Sequence, residues 1–141
     1  PATQGSKRAF IAGGRAIVTE DCKRNRPWRS DVRAACQEAM MRDGYPAPMI
    51  HQGPVRLHLS FWLARPKGHF GTGKNAGRLS PSAHRWPTGR PDVIKLARAV
   101  EDALKGVAWS DDSQIVEETI DKDYCIKGQA EGVEVYIEAM P

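Results

Sequence analysis

Residues 90–114 constrain the fold more than any other part of the chain. They read RPDVIKLARAVEDALKGVAWSDDSQ, and Asp92, which follows a proline, suits the N-cap of a helix. Apolar residues then recur on one helical face, namely Val93, Leu96, Ala97, Val100, Ala103 and Leu104. Gly106 ends this helix, and Asp111 and Asp112 precede a strand-like run. The segment therefore predicts an amphipathic helix with acidic residues at both ends.

The remaining elements follow from periodicity and turn residues. Two short apolar runs flank Gly13 and Gly14 and predict a β-hairpin over residues 10–18. Apolar spacing predicts a helix from Pro27 to Asp43 that Gly44 closes. Three strands are expected at residues 55–63, 113–124 and 132–138. In the second of these strands, we expect Ile115, Val116 and Ile120 to be partly buried.

Charge is unevenly distributed along the 141 residues. The net charge is +4 for residues 1–43, +7 for residues 44–91 and −7 for residues 92–141. Such a division indicates a basic surface for a polyanion beside an acidic cluster, because phosphate backbones attract lysine and arginine. The alternative is solvated charge that happens to segregate, and composition alone leaves both interpretations open.

Composition also argues against several classes of protein. The length suits one domain, no apolar run reaches eighteen residues, and the N-terminus lacks a hydrophobic signal region. We therefore expect a single cytoplasmic domain without a membrane partner. Cys22, Cys36 and Cys125 have no spacing typical of a zinc site or a disulfide framework, which predicts buried or incidental thiols.

Residues 65–90 are rich in glycine, proline and basic residues and contain no acid. The composition predicts a long, flexible basic loop, in which Phe70 and Trp86 either stack on exposed bases or pack against their own domain. Gly68, Gly73 and Lys74 match the spacing of a phosphate-binding P-loop. However, an asparagine replaces the hydroxyl that would hold Mg²⁺ and glycine and proline follow, so nucleotide hydrolysis is disfavoured.

The aspartates around the predicted helix are candidates for a metal site. Asp111 and Asp112 at the edge of a strand, with Asp92 at a helix N-terminus, supply the hard oxygen ligands that Mg²⁺ prefers. Metal-assisted phosphodiester cleavage needs such ligands together with a nearby cation. The residue types also fit a simple helix cap and a turn. By contrast, His58 lies on the polar face of its strand with no second histidine at ligand spacing, which indicates an ordinary exposed histidine.

The segment RPDVIKLARAVEDALKGVAWSDDSQIVE resembles the RusA family of Holliday junction resolvases, in its phage and actinobacterial branch. The hallmarks are a proline and aspartate that open a helix, a D-A-L-x-G helix end and a D-D-x-Q strand start. The resemblance extends over nearly the whole chain. It implies an α/β (α+β) domain spanning residues 1–141, with two main helices packed on a mixed β-sheet. It further implies a homodimer that cuts four-way DNA junctions with Mg²⁺, for which Mn²⁺ is a possible substitute.

The resemblance also assigns site residues. It implies catalytic roles for Asp92, Asp112 and Arg98, and a metal site of Asp92, Asp112 and, more weakly, Asp111. Basic residues are expected to contact DNA, namely Lys7, Arg8, Lys67, Lys74, Arg78, Arg85, Arg90 and Lys95. Ile94 stands where the family has a second carboxylate and cannot bind a metal. The sequence therefore leaves two alternatives, an active junction endonuclease and a catalytically impaired junction-binding protein.

Overall fold

The computed structural model describes the backbone of residues 8–12, 15–19 and 25–141 and the side chains of residues 28–141. Its helices and strands, in chain order, are β1 (Arg8–Ala12), β2 (Arg15–Thr19), α1 (Asn25–Asp43), β3 (Val55–Leu63), α2 (Val93–Leu104), β4 (Ile115–Tyr124) and β5 (Gly132–Ala139). Short 3-10 turns occupy Lys67–His69, Gly73–Asn75 and Asp112–Gln114. Both helices, β3 and β5 lie within two residues of their predicted positions.

The strands form one hairpin and one mixed sheet. β1 and β2 pair antiparallel, with Ala12 opposite Arg15 at the closed end, which confirms the predicted hairpin. The larger sheet has the order β4-β3-β5, in which β3 is parallel to β4 and antiparallel to β5. Two helices and a mixed sheet make a single α+β domain, as the resemblance implied. No helix in the described residues is long and apolar enough to cross a membrane.

One hydrophobic core joins both helices to one face of the sheet. Side chains of β3 alternate between this face and the opposite one, so that Val55, Leu57, Leu59 and Phe61 are buried. Other core residues include Val32, Cys36 and Met40 of α1, Val100 and Leu104 of α2, and Val135 and Ile137 of β5. Burial of the Cys36 thiol raises its pKa to about 12, as expected for a structural cysteine. Cys125 is half-buried, and the Cys22 prediction lies outside the described residues.

A one-residue bulge changes the direction of side chains along β4. Ile115 pairs with Val55 and Glu117 pairs with Arg56, which leaves Val116 as the extra residue. Val116 is 62% exposed, so the prediction that it is partly buried is wrong, whereas Ile115 and Ile120 are partly buried as predicted. Beyond the bulge, Glu118 is in register with Leu57. Glu118, Ile120 and Lys122 therefore share the face of the sheet that carries the core and α2.

The C-terminal end of α2 is held by α1 and by a glycine. Lys105 is the C-cap, and Gly106 follows at a φ of 81°, a left-handed conformation that glycine adopts without steric cost. Arg33 of α1 donates from Nη1 to the carbonyl oxygens of Ala103 and Lys105, at 3.3 Å each. These bonds satisfy carbonyl groups that have no partner within the helix. They also fix the direction in which the chain leaves α2 toward the paired aspartates.

Residues 65–90 contain more local structure than the predicted loop. Phe70 and Leu79 form an antiparallel bridge, supported by hydrogen bonds from Gly71 N to Arg78 O and from Ser80 N to His69 O. The chain therefore doubles back after the 3-10 turn at Gly73–Asn75 instead of starting an α-helix. A P-loop needs a helix N-terminus at this point, so its absence from these described residues agrees with the sequence argument against nucleotide hydrolysis.

Candidate active site

The adjacent aspartates before β4 point their side chains at different partners. The Asp111 carboxylate accepts a hydrogen bond from Ser113 N at 2.9 Å and lies 3.2 Å from Lys105 Nζ. The Gln114 side chain closes a capping box by accepting from the Asp111 backbone amide. The hydrogen bonds from Ser113, with the ammonium of Lys105, lower the pKa of Asp111 to about 2. Asp111 is thus engaged in holding the turn together.

Asp112 is oriented by a buried tryptophan. The indole Nε1 of Trp109 donates to Asp112 Oδ1 at 2.8 Å, and Trp109 itself is fully buried in the core. The indole group has a single donor, so this bond satisfies a polar group that would otherwise be buried without a partner. It also fixes the Asp112 carboxylate at the start of β4. Oδ2 of Asp112 accepts no hydrogen bond from the part of the chain that the structure describes.

Two glutamates join Asp112 in what we call the carboxylate cluster, namely Glu101, Glu118 and Asp112. Partial burial raises the pKa of Glu101 to about 7, with further contributions from Glu118, which lies close enough to hydrogen-bond with Glu101, and from the charges of Asp112 and Asp102. Glu101 lies on α2 and Glu118 on β4. The bulge at Val116 turns Glu118 toward α2, which explains why the two glutamates meet.

The glutamates of the carboxylate cluster were not among the residues selected from the sequence. One local signal was available, because Glu101 follows Ile94 by seven residues, about two helical turns, and so lies on the same helix face. No local signal pointed to Glu118. Its direction depends on the register between β4 and β3, which only the folded chain determines.

Asp92 lies apart from the carboxylate cluster. It occupies the N-cap position of α2 as predicted, but its side chain makes no capping hydrogen bond and lies 3.6 Å from Lys95 Nζ. Lys122 donates from Nζ to Gly89 O at 2.8 Å and to Pro91 O at 3.0 Å, which places the start of α2 beside the second half of β4. Nine residues of helix separate Asp92 from Glu101, a distance of roughly 14 Å along the axis.

Ile94 and Arg98 lie on the outer side of α2. Ile94 is 56% exposed, in agreement with its position outside the apolar stripe. Arg98 is also exposed and precedes Glu101 by three residues, so that the two side chains are neighbours on the helix surface. Asp102 is turned toward α1, where its carboxylate lies 3.7 Å from Arg29. Arg98 is therefore the basic residue of α2 nearest to Glu101 in sequence.

The donor chemistry of the carboxylate cluster fits a divalent cation. Within residues 28–141, no three His, Cys, Asp or Glu side chains already converge closely enough to hold a metal ion. The cluster nevertheless brings like charges together, which is unfavourable unless a proton or a cation offsets them. Carboxylate oxygens are the ligands that Mg²⁺ prefers. Ile94 adds no donor to the carboxylate cluster.

Most of the predicted DNA-contacting residues lie in residues 65–90. Four of them are exposed and form no ion pair with any side chain that the structure describes, namely Lys67, Lys74, Arg78 and Arg90. Two others have acidic partners, because Lys95 lies near Asp92 and Arg85 lies 2.6 Å from Asp123. Lys7 and the side chain of Arg8 lie outside the described residues. The free cations thus cluster in the segment that leads into α2.

Comparison with known proteins decides the family. The model of the family described as endodeoxyribonuclease RusA matches residues 1–138. The chain belongs to the RusA family. It is also 27% identical, over 124 residues, to the uncharacterized protein YqaN of Bacillus subtilis (strain 168), an alignment that covers 88% of this chain and 82% of YqaN. The RusA match confirms the resemblance found in the sequence and indicates an endodeoxyribonuclease, a hydrolase of DNA.

On the opposite face of the sheet in this RusA-family chain, the described residues form no catalytic arrangement of the Ser-His-Asp type. A groove of about 390 Å³ there contains His58 and Ser60. His58 Nε2 lies 3.0 Å from Ser60 Oγ and 3.2 Å from Asp121 Oδ2. A catalytic triad uses different ring nitrogens for the serine and the aspartate, whereas here one nitrogen serves both. His58 is therefore a surface residue with polar partners, close to what its strand position predicted.

The Trp109 to Asp112 hydrogen bond predicts a measurable coupling. Trp109→Phe keeps an aromatic ring but removes the donor, and Asp112→Ala removes the acceptor. In a double-mutant cycle measured by urea unfolding, we expect a coupling of about 1.5 to 3 kcal/mol, because hydrogen bonds to charged groups contribute that much. The matched control pairs Trp109→Phe with Asp111→Ala, for which the coupling should stay within about 0.5 kcal/mol. Equal coupling in both cycles would contradict the assignment.

Proposed function

We propose that this protein is a structure-specific endonuclease that resolves four-way DNA junctions by Mg²⁺-dependent phosphodiester hydrolysis. The observation that carries the proposal is membership of the RusA family over residues 1–138. Two structural features support it, namely the carboxylate cluster between α2 and β4 and the acid-free basic segment that leads into α2. Together they offer cation ligands beside a surface suited to the DNA backbone.

In this proposal, Asp112 is the central ligand of the cation. Glu101 and Glu118 complete the donor set by proximity, and Trp109 holds Asp112 in the orientation that the site needs. Mg²⁺, or Mn²⁺ in its place, would activate water and offset negative charge on the phosphate. Family spacing instead assigns Asp92 and Asp111 as partners of Asp112. The geometry favours the glutamates, because Lys105 and Ser113 already engage Asp111 and because Asp92 lies two to three helical turns away.

The remaining groups bind and orient the substrate. Arg98, exposed on α2 near Glu101, is suited to hold the scissile phosphate and to offset the charge that develops during cleavage. The exposed cations of residues 65–90 would hold the DNA arms through their phosphates. Resolution of a junction needs two nicks related by symmetry, which a two-fold homodimer would supply through two identical sites.

The first prediction from the proposed function concerns DNA cleavage. With a labelled synthetic four-way junction and Mg²⁺, the wild-type protein should produce paired, symmetric nicks. Asp112→Asn should lower the rate by on the order of 100-fold, because the neutral amide weakens cation binding and charge stabilisation. Binding of the junction, followed by gel shift in Ca²⁺, should change little. Wild-type protein that binds the junction but makes no paired nicks would exclude an active enzyme.

A second prediction distinguishes the two possible donor sets. Combined Glu101→Gln and Glu118→Gln substitutions should weaken Mg²⁺ binding by about tenfold or more, because two carboxylate ligands become neutral. The measurement is calorimetric titration of the full chain with MgCl₂. Asp102→Asn is the matched control, since this carboxylate lies on the same helix but faces Arg29, and it should change affinity less than about twofold. Loss of affinity in Asp92→Asn with Asp111→Asn, but not in the glutamate pair, would support the family-spaced set.

Ile94 favours a second candidate function, a junction-binding protein with impaired cleavage. The residue is exposed and carries no metal donor at the position where the family has a carboxylate. The described residues also lack a preformed group of three metal ligands. The basic surface would still bind branched DNA, with an affinity that falls steeply as the salt concentration rises. Strong wild-type cleavage that disappears in Asp112→Asn would exclude this candidate.

The third prediction tests the importance of Ile94. Ile94→Asp restores the carboxylate that the family has two residues after Asp92, so we expect cleavage of the junction to increase by about tenfold or more if the family-spaced residues hold the cation. A cation held by Glu101, about 10 Å farther along the helix, would gain no ligand from this substitution. Ile94→Asn is the matched control, because asparagine has nearly the same shape as aspartate but carries no charge. The measurement is the single-turnover nicking rate at saturating Mg²⁺. Equal rates for wild type and both variants would mean that residue 94 does not contribute to the metal site.

A further inference from the structure

Trp86 is an exposed aromatic residue whose ring is held in place. It is 55% exposed, and single exposed apolar residues are common on protein surfaces. What sets Trp86 apart is its neighbour, because the guanidinium carbon of Arg85 lies 4.1 Å from the centre of the indole ring. A cation at this distance over an aromatic face is attracted to it and restricts its rotation. One face of the ring is therefore covered, and the side chain still exposes more than half of its surface.

Arg85 is itself fixed to the sheet. Its two terminal nitrogens donate to the two carboxylate oxygens of Asp123, at 2.6 and 3.1 Å. Asp123 belongs to β4, and its Oδ1 also accepts the backbone amide of Tyr124. The hydrogen bond from Arg85 holds the pKa of Asp123 below its usual range. The bidentate pair makes Arg85 a support for the ring.

The chain on both sides of Trp86 is anchored as well. Arg65 donates from Nη1 to His84 O at 2.8 Å and stacks over the Tyr124 ring at 4.3 Å. Lys122 holds the carbonyl oxygens of Gly89 and Pro91. Residues 84–91 are thus attached to β4 at three points, through Arg65, Asp123 and Lys122. An exposed ring on such a rigid support loses little conformational entropy when it binds a partner.

The charges around Trp86 indicate what that partner is. Residues 65–90 contain six Lys or Arg residues and no acid, which favours a polyanion over a protein surface of mixed charge. Aromatic rings beside cations are the groups that bind single-stranded nucleic acid, because every base has a face that stacks. Bases inside a paired duplex are already stacked on their neighbours. Base faces at the branch point of a junction become accessible when its arms open.

We propose that the free face of Trp86 stacks on an exposed base at the branch point of the DNA substrate, with Arg85 and Asp123 as its support. This inference rests on the proposed function for the choice of substrate. It adds a residue that distinguishes branched from fully paired DNA, a discrimination that phosphate contacts alone do not supply. The cations of residues 65–90 bind both kinds of DNA, whereas Trp86 contributes only where a base face is accessible.

The test compares Trp86→Ala with wild type on three DNAs in Ca²⁺, namely a four-way junction, a forked duplex and a fully paired duplex. Junction and fork carry 2-aminopurine at the branch point, whose fluorescence reports stacking. We expect Trp86→Ala to bind junction and fork about tenfold more weakly and to lose the fluorescence change, with duplex affinity altered less than about twofold. Trp86→Phe should retain most of both signals. Leu79→Ala, at a residue of the same segment that is 53% exposed, is the control and should behave like wild type.

The binding results test the stacking of Trp86, whereas the nicking assay tests DNA cleavage. Unchanged junction and fork binding by Trp86→Ala would overturn it, even if wild type produces paired nicks. An equal loss on all three DNAs would also overturn it, because the ring would then serve general binding. Selective loss with no cleavage by wild type would support stacking and count against an active enzyme. Failure of wild type to bind any of the three DNAs would overturn both proposals. Circular dichroism and thermal unfolding of each variant confirm that the fold is retained.

Discussion

The parallel pairing of β3 with β4 is the constraint on which the rest of the structure depends. Parallel neighbours cannot be joined by a tight turn, so the chain must cross back over the sheet between them. Residues 64–114 make this crossover and include both the basic segment and α2. Burial of Val100 and Leu104 fixes α2 on the sheet, and Glu101 is consequently held toward β4. The position of the carboxylate cluster follows from the connection that parallel pairing requires.

β4 sets the distance between the carboxylate cluster and the basic segment that includes residues 84–91. Its first half contributes Glu118 to the carboxylate cluster, whereas its second half anchors residues 84–91 through Lys122 and Asp123. Four residues of strand separate Glu118 from Lys122, which corresponds to roughly 13 Å. A single strand therefore fixes the spacing between the proposed cation ligands and the support of Trp86. The backbone of β4, rather than a flexible loop, connects the proposed metal site with the proposed DNA-binding segment.

The helices and central strands were predictable because their signals are local. The stripe on α2, the spacing on α1 and the alternation on β3 each require only a short window of sequence. The candidate site was predicted only in part. The family motif proposed both Asp111 and Asp112, which have equal chemistry in the sequence. Only the capping box and the Trp109 hydrogen bond distinguish their surroundings in the fold. The contact of Glu101 with Glu118 depends on strand register across the whole crossover, which no local pattern encodes.

The bulge makes residue 116 a position that the register of β4 does not need. Many side chains would be tolerated there, because the residue is exposed and pairs with nothing across the sheet. Deletion of Val116 would leave Ile115 opposite Val55 and Glu117 opposite Arg56 in a regular ladder, so Glu118 and Lys122 would keep their face toward α2. Loss or gain of one residue beyond the bulge would instead exchange the two faces of the strand from that point onward. A change in the length of β4 is therefore tolerated at the bulge and costly after it.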